Sequence, residues 1–167
     1  MKKVFLILTL LPAFSFADNV SFVGADYFRV SGYGESGDGY QISVMSVFNA
    51  KTSVNLSHAE ISEYGIDISM TTLNVEYAFG SFDDGSFYAG IGGVDGEGIS
   101  EPAFTLGYSK RSGQGLDYNI GLSTVDGETA FGATLRGEIG GNGLGWHLGA
   151  ASDGDVSTQT VGLNFKF

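Results

Sequence analysis

Apolar and polar residues alternate with a period of two along most of this chain, the pattern of strands that show one apolar and one polar face. It is clearest at the end, where Val161, Leu163, Phe165 and Phe167 share one face and Thr158, Thr160, Gly162, Asn164 and Lys166 the other. Reading backwards, Leu144, Trp146, Leu148 and Ala150 alternate with Gly145, His147, Gly149 and Ala151. Phe131, Ala133, Leu135 and Ile139 alternate with Gly132, Thr134, Arg136 and Glu138. Leu116, Tyr118, Ile120 and Leu122 oppose Asp117, Asn119, Gly121 and Ser123, and Phe104, Leu106 and Tyr108 oppose Thr105, Gly107 and Ser109. Earlier strands are predicted near 19–30, 40–50, 53–62, 66–79 and 86–94, ten in all, or eight if 50–72 forms one long excursion. Ile66 and Ile68 fall on even positions, whereas Leu73, Val75, Tyr77 and Phe79 fall on odd ones. That change of parity predicts a bulge or an extra loop.

Two kinds of connection alternate between these segments. One is acidic: SGYGESGDG at 31–39, VDGEGISEP at 94–102, VDGE at 125–128 and SDGD at 152–155. The other lacks that motif: turns at 50–52 and 80–85, KRSGQG at 110–115 and GGNG at 140–143. Asp-Gly and Asn-Gly favour hairpin turns because they tolerate positive φ. Alternating loop types are what an up-and-down meander predicts, with one type at each end of the sheet.

Residues 1–17 read differently. Lys2 and Lys3 precede an apolar run from Val4 to Leu11, and Ser15 and Ala17 stand where a signal peptidase reads small residues. This is the pattern of a cleaved secretory signal, too short for a spanning helix. The expected mature domain is then 18–167. It keeps all 19 acids but 6 of the 8 basic residues, a net charge of −13. Such acidity argues against nucleic acid as a partner. The chain has no cysteine, which excludes thiolate chemistry and cysteine metal sites.

The polar face decides between a soluble sandwich and a membrane barrel. Here it is mostly Gly, Ser, Thr and Asn, and only 16% of all residues are charged. Such residues fit a narrow barrel interior better than a solvated sheet face. Aromatics also sort by height. Phe22, Phe48, Tyr77, Phe79, Phe87, Tyr108, Tyr118, Trp146, Phe165 and Phe167 fall toward one end, and Tyr27, Tyr40, Phe104 and Phe131 toward the acidic connections. Two such belts mark the interfaces of a transmembrane barrel. The expected fold is therefore an all-β, antiparallel up-and-down transmembrane barrel; a secreted β-sandwich or adhesin module is the soluble alternative.

The signal, the acidic glycine-rich connections and the terminal VGLNFKF resemble the small outer-membrane β-barrel proteins, such as the OmpA transmembrane domain and the OmpX-like and opacity types. The resemblance implies a monomer in the outer membrane of a Gram-negative bacterium, in contact with lipid and lipopolysaccharide. It also implies that the barrel-assembly machinery reads the last strand through Val161, Leu163, Phe165 and Phe167.

Chemistry is sparse. The lipid A deacylases of similar size carry a His-x-Ser pair, but His147 is followed by Leu148 and Gly149, and His58 by Ala59 and Glu60. A nucleophile needs a base within reach, so no catalytic residues are expected. Two distant histidines make no metal cluster, the acidic connections read as solvated loops, and no cofactor is expected. The inward charges say more: Glu76, Asp117, Arg136 and Glu138 fall on the polar face, with Asp26 and Arg29. A buried charge needs a partner, and Arg136 is expected to pair with these acids as part of a filled plug. The alternative is a narrow cation or small-solute pore. On the plug reading, Arg136→Ala lowers the thermal stability measured by heat-modifiable gel mobility and opens no conductance.

Overall fold

The computed structural model describes residues 21–63, 66–96, 99–112 and 115–167; the leader expected over 1–17 lies outside the described residues. Ten antiparallel strands close into one barrel: β1 (Phe22–Gly32), β2 (Glu35–Asn49), β3 (Thr52–Glu63), β4 (Ile66–Phe82), β5 (Gly85–Gly96), β6 (Ile99–Arg111), β7 (Leu116–Val125), β8 (Glu128–Glu138), β9 (Leu144–Ser152) and β10 (Val156–Lys166). Each strand pairs with its sequence neighbours. The barrel closes through eleven residue pairs between β1 and β10, from Phe22 opposite Lys166 to Gly32 opposite Val156. The count is the favoured ten, not eight.

The bulge expected within 53–72 is absent. β3 and β4 pair without a break from Thr52 opposite Tyr77 to Glu63 opposite Ile66. Ile68 and Met70 point inward, as do Thr72, Asn74 and Glu76 further along the same strand. Leu73, Val75, Tyr77 and Phe79 point outward. The polarity of the lumen changes along β4, not the parity of the strand. The register does shift near the end of the barrel that carries the chain termini, between Val47 and Asn49 and between Ala78 and Gly80.

The acidic connections are also shorter than their sequences predict. Glu35–Gly39 belongs to β2 and pairs with β1, leaving Tyr33 and Gly34 as the turn, both with positive φ (52° and 82°). Most of 94–102 lies in β5 and β6. Asp126–Gly127 forms the expected turn, with φ of 51° and 80°. Gly39, which read as loop, is a strand residue with a packing duty. A Cβ on Gly39 would lie 2.5 Å from the Phe28 ring, so Phe28 can cross β2 only over a glycine.

Outward residues are large and apolar. Ile42 is 62% exposed, Ile91 60% and Leu163 54%. Tyr77, Phe79 and Tyr118 lie outward toward the termini, where the Phe87 ring packs 5.1 Å from Tyr108. Tyr108 also donates its hydroxyl to the Phe82 carbonyl (2.7 Å). Trp146 is half-buried on β9, above Gly137 of β8. At the acidic end Tyr27 meets Tyr40 edge-on (5.6 Å), with Phe104 and Phe131 exposed at the same end. Val161, Leu163 and Phe165 face outward along β10, and the Phe167 amide donates to the Ser21 carbonyl (3.0 Å). One aromatic departs from this plan: Phe22 turns into the lumen.

Tyr88 shows how the interior is fitted. It lies opposite Gly107 on β6, which is itself opposite Gly121 on β7, and its hydroxyl donates to Asn119 Oδ1 (3.0 Å). A Cβ on Gly107 would sit 2.3 Å from that hydroxyl oxygen. Gly107→Ala should therefore cost about 1–3 kcal/mol through overpacking. Gly80→Ala, whose added carbon would meet only Phe87 at 3.7 Å, should be close to neutral; urea unfolding of both variants checks the contrast.

Candidate functional site

The lumen is the candidate site, and it is layered. Its layer at the acidic end is apolar: twelve buried residues from nine strands form one cluster around Phe28, Val30, Ile61, Ile68, Met70 and Val94. β2 supplies no member; at that level its buried residues are Gly37 and Gly39, and Gly39 lies under the Phe28 ring. The sequence reading took the inward face to be polar throughout and missed this layer. Its signal was present in Ile61, Ile68 and Met70, whose parity places them inside.

The middle of the lumen is polar and dense. Gln41, Asn55, Asn74, Glu76, Thr158 and Asn164 are each at most 4% exposed. Two clusters organise it. In the first, His147 Nε2 lies 2.8 Å from Asp26 Oδ1, and Gln41 Nε2 donates to Asp26 Oδ2 at 3.4 Å. Asp26 and His147 stand two strands apart, on β1 and β9, each opposite Gly162 of the intervening β10. A Cβ on Gly162 would be 1.9 Å from Asp26 Oδ1, so the pair exists because β10 carries glycine between them. In the second cluster, Asn74 Nδ2 donates to Glu76 Oε1 (3.0 Å) and to Thr105 Oγ1 (3.2 Å).

Charges gather at the terminal end. The register places Asp117 opposite Arg136, and the Arg136 guanidinium carbon sits 4.3 Å from the centre of the Phe22 ring. Lys166 Nζ lies 3.0 Å from Glu138 Oε1 and 4.0 Å from Asp117 Oδ2. Arg111 reaches Glu138 at 3.4 Å and Asp117 at 3.8 Å. Lys110 pairs with Asp83 of the β4–β5 turn.

Of the charges expected inside, Asp26, Glu76, Asp117 and Arg136 are buried there. The structure gathers Asp117, Arg136 and Glu138 at one end and puts Glu76 in the separate cluster with Asn74. Glu138 is a rim residue, 38% exposed, because β8 ends there. Arg29 is not a lumen cation: it points outward, 59% exposed, toward Asp38 and Ser36. The sequence reading missed Arg111 and Lys166 as rim partners. It also missed the pairing of His147 with Asp26, since the two lie far apart in sequence and only barrel closure makes them neighbours.

No protein-family model and no curated protein sequence matches the chain. Solved structures do match its fold. The KdgM porin, in complex with disordered oligogalacturonate, aligns over 89% of this chain and 98% of its own at 12% identity and a TM-score of 0.51. The N-terminal β-barrel domain of Pseudomonas aeruginosa OprF aligns over 87% and 97% at 14% identity and a TM-score of 0.43. Neisserial surface protein A aligns over 89% and 96% at 13% identity and a TM-score of 0.40. The chain shares the closed antiparallel barrel of outer-membrane proteins.

Removing one partner of a buried hydrogen-bonded pair leaves the other unsatisfied, at a cost of about 1–3 kcal/mol. Asp26→Ala and His147→Ala should each destabilise the barrel on that scale. The double variant should lose less than the two single losses combined, by at least about 1 kcal/mol. Urea unfolding of the four proteins measures that coupling.

Proposed function

We propose that the protein is an integral outer-membrane barrel with a filled, non-conducting lumen and a structural or surface-interaction role rather than a catalytic one. The inverted polarity of the barrel carries this reading. Large apolar side chains such as Ile42, Leu73, Ile91 and Leu163 face outward, while Gln41, Asn74, Glu76 and Asn164 are buried inside. Water would penalise such an exterior and lipid would not. A closed barrel also leaves no strand edge unpaired, as a bilayer requires of strands. The likeness to outer-membrane barrels of known structure supports the same placement. In that placement the even strand number puts both termini on the periplasmic side, with the acidic hairpins facing out and 1–17 serving as the export signal.

The apolar layer favours a plug over a conduit. Ions crossing it would lose their hydration without gaining polar contacts. The charged cluster around Glu138, Arg111 and Lys166 would then fasten the periplasmic rim. In this reading the outward residues of β10 are also what the assembly machinery meets.

Refolding into lipid vesicles, followed by planar-bilayer recording, tests both parts. The expected result is a heat-modifiable band that co-floats with the vesicles, and no stepwise conductance. Phe28→Ala combined with Met70→Ala should then admit intermittent current by thinning the apolar layer. Steady current through the unaltered protein supports the narrow-pore alternative, and a folded chain that stays in solution without lipid supports a secreted module.

A further inference from the structure

We propose that the outer face of β1, β10, β9 and β8 seats the phosphorylated glucosamine headgroup and acyl chains of lipid A. This inference rests on the membrane placement above and names a partner for a surface that placement leaves unassigned. Two depressions of about 500 Å³ and 400 Å³ lie on this face. They share Leu148 and Gly149 and so form one trough.

Strand register explains its shape. One outward row runs across the strands from Arg29 to Gln159, Ala150, Ala133 and Ile120. The row beside it, toward the termini, runs from Tyr27 through Val161, Leu148 and Leu135 to Tyr118. The row toward the acidic hairpins begins with Ser31, Ser157 and Ser152 before reaching Phe131. Two alanines between walls of Leu148, Leu135 and Phe131 therefore make an apolar channel, and its open end carries an arginine, an amide and hydroxyls. A polar, cationic head on an apolar, chain-width channel is the complement of an anionic lipid.

Charge argues for the same occupant. The described chain carries six Lys and Arg residues, and Arg29 alone lies at the acidic end; Lys51, Lys110, Arg111, Arg136 and Lys166 belong to the terminal half. Glu35, Asp126, Glu128 and Asp155 make the rest of the acidic rim repel phosphate. Arg29 has a contact of 3.1 Å to Ser36 and a looser one of 4.0 Å to Asp38. These hold the guanidinium at the mouth of the trough with N–H donors left beyond the one given to Ser36, and phosphate is a strong partner for such donors. In the proposed orientation this end meets the outer leaflet, where the phosphate-bearing lipid is lipid A.

The test uses delipidated, refolded protein in detergent, with lipid retention read by native mass spectrometry. Phosphorylated lipid A should be retained about tenfold more than its dephosphorylated form, the size of one charge-assisted contact. Arg29→Gln should erase that preference, Arg29→Lys should keep part of it, and Ala150→Trp should reduce retention of both forms by filling the trough. Heat-modifiable mobility verifies that each variant is folded. Equal retention of the two forms by the unaltered protein, an unchanged preference in Arg29→Gln, or displacement of lipid A by an equal amount of phosphatidylglycerol would overturn the assignment while leaving the membrane reading intact. A chain that never enters vesicles overturns both.

Discussion

Every other feature of this protein depends on the return of β10 to β1. A sheet rolled from nine hairpins still has two open edges until the last strand finds the first. The eleven pairs from Phe22 opposite Lys166 to Gly32 opposite Val156 supply the missing hydrogen-bonding partners. Closure also fixes parity. A slip of one residue at this seam would send Asp26 outward and Tyr27 inward, because side chains alternate between faces. The apolar exterior, the layered interior and the pairing of Asp26 with His147 are thus consequences of one register.

Given that register, the remaining constraint is volume. A ten-stranded barrel has limited room inside, and this one sets large side chains over glycines on neighbouring strands. Phe28 crosses Gly39, Tyr88 crosses Gly107, Asn164 abuts Gly145, and Asp26 and His147 meet across Gly162. The same device therefore serves apolar packing and hydrogen bonding, and it brings His147 against Asp26. Its effect is to let side chains reach beyond their immediate neighbour, so that strands not hydrogen-bonded to one another are tied through the middle of the barrel.

Much of this was legible in the sequence, and the errors have one cause. Period-two alternation located all ten strands, because outward residues alternate against smaller or polar inward ones from β5 to β10. It misled where the interior is itself apolar. Ile68 and Met70 imitated a change of register in β4 because the contrast is inverted there, with apolar residues inside and Ser69 and Thr71 outside. It misled again at Gly39, where glycine selected for a neighbouring ring looks like glycine selected for a turn. Arg29 was counted with the inward charges, but near the barrel end it points outward to Asp38, Ser36 and an open surface. Asp26 and His147 were visible as inward residues, but nothing local joins positions 121 residues apart; closure of the barrel does.

The brevity of the connections has a consequence for how this protein meets its surroundings. Tyr33–Gly34, Asp83–Asp84 and Asp126–Gly127 each reverse the chain in two residues of positive φ, and Asp153–Asp155 does so in three, of which Gly154 has positive φ. A protease must draw a length of extended chain into its cleft, and antibodies and phage tail fibres grip protruding segments. These tips are also where a foreign peptide would disturb the sheet least. In the proposed placement the outward tips at Tyr33–Gly34, Asp126–Gly127 and Asp153–Asp155 therefore give proteolysis and immune recognition little to hold, and they are natural positions from which to display a sequence borrowed from elsewhere.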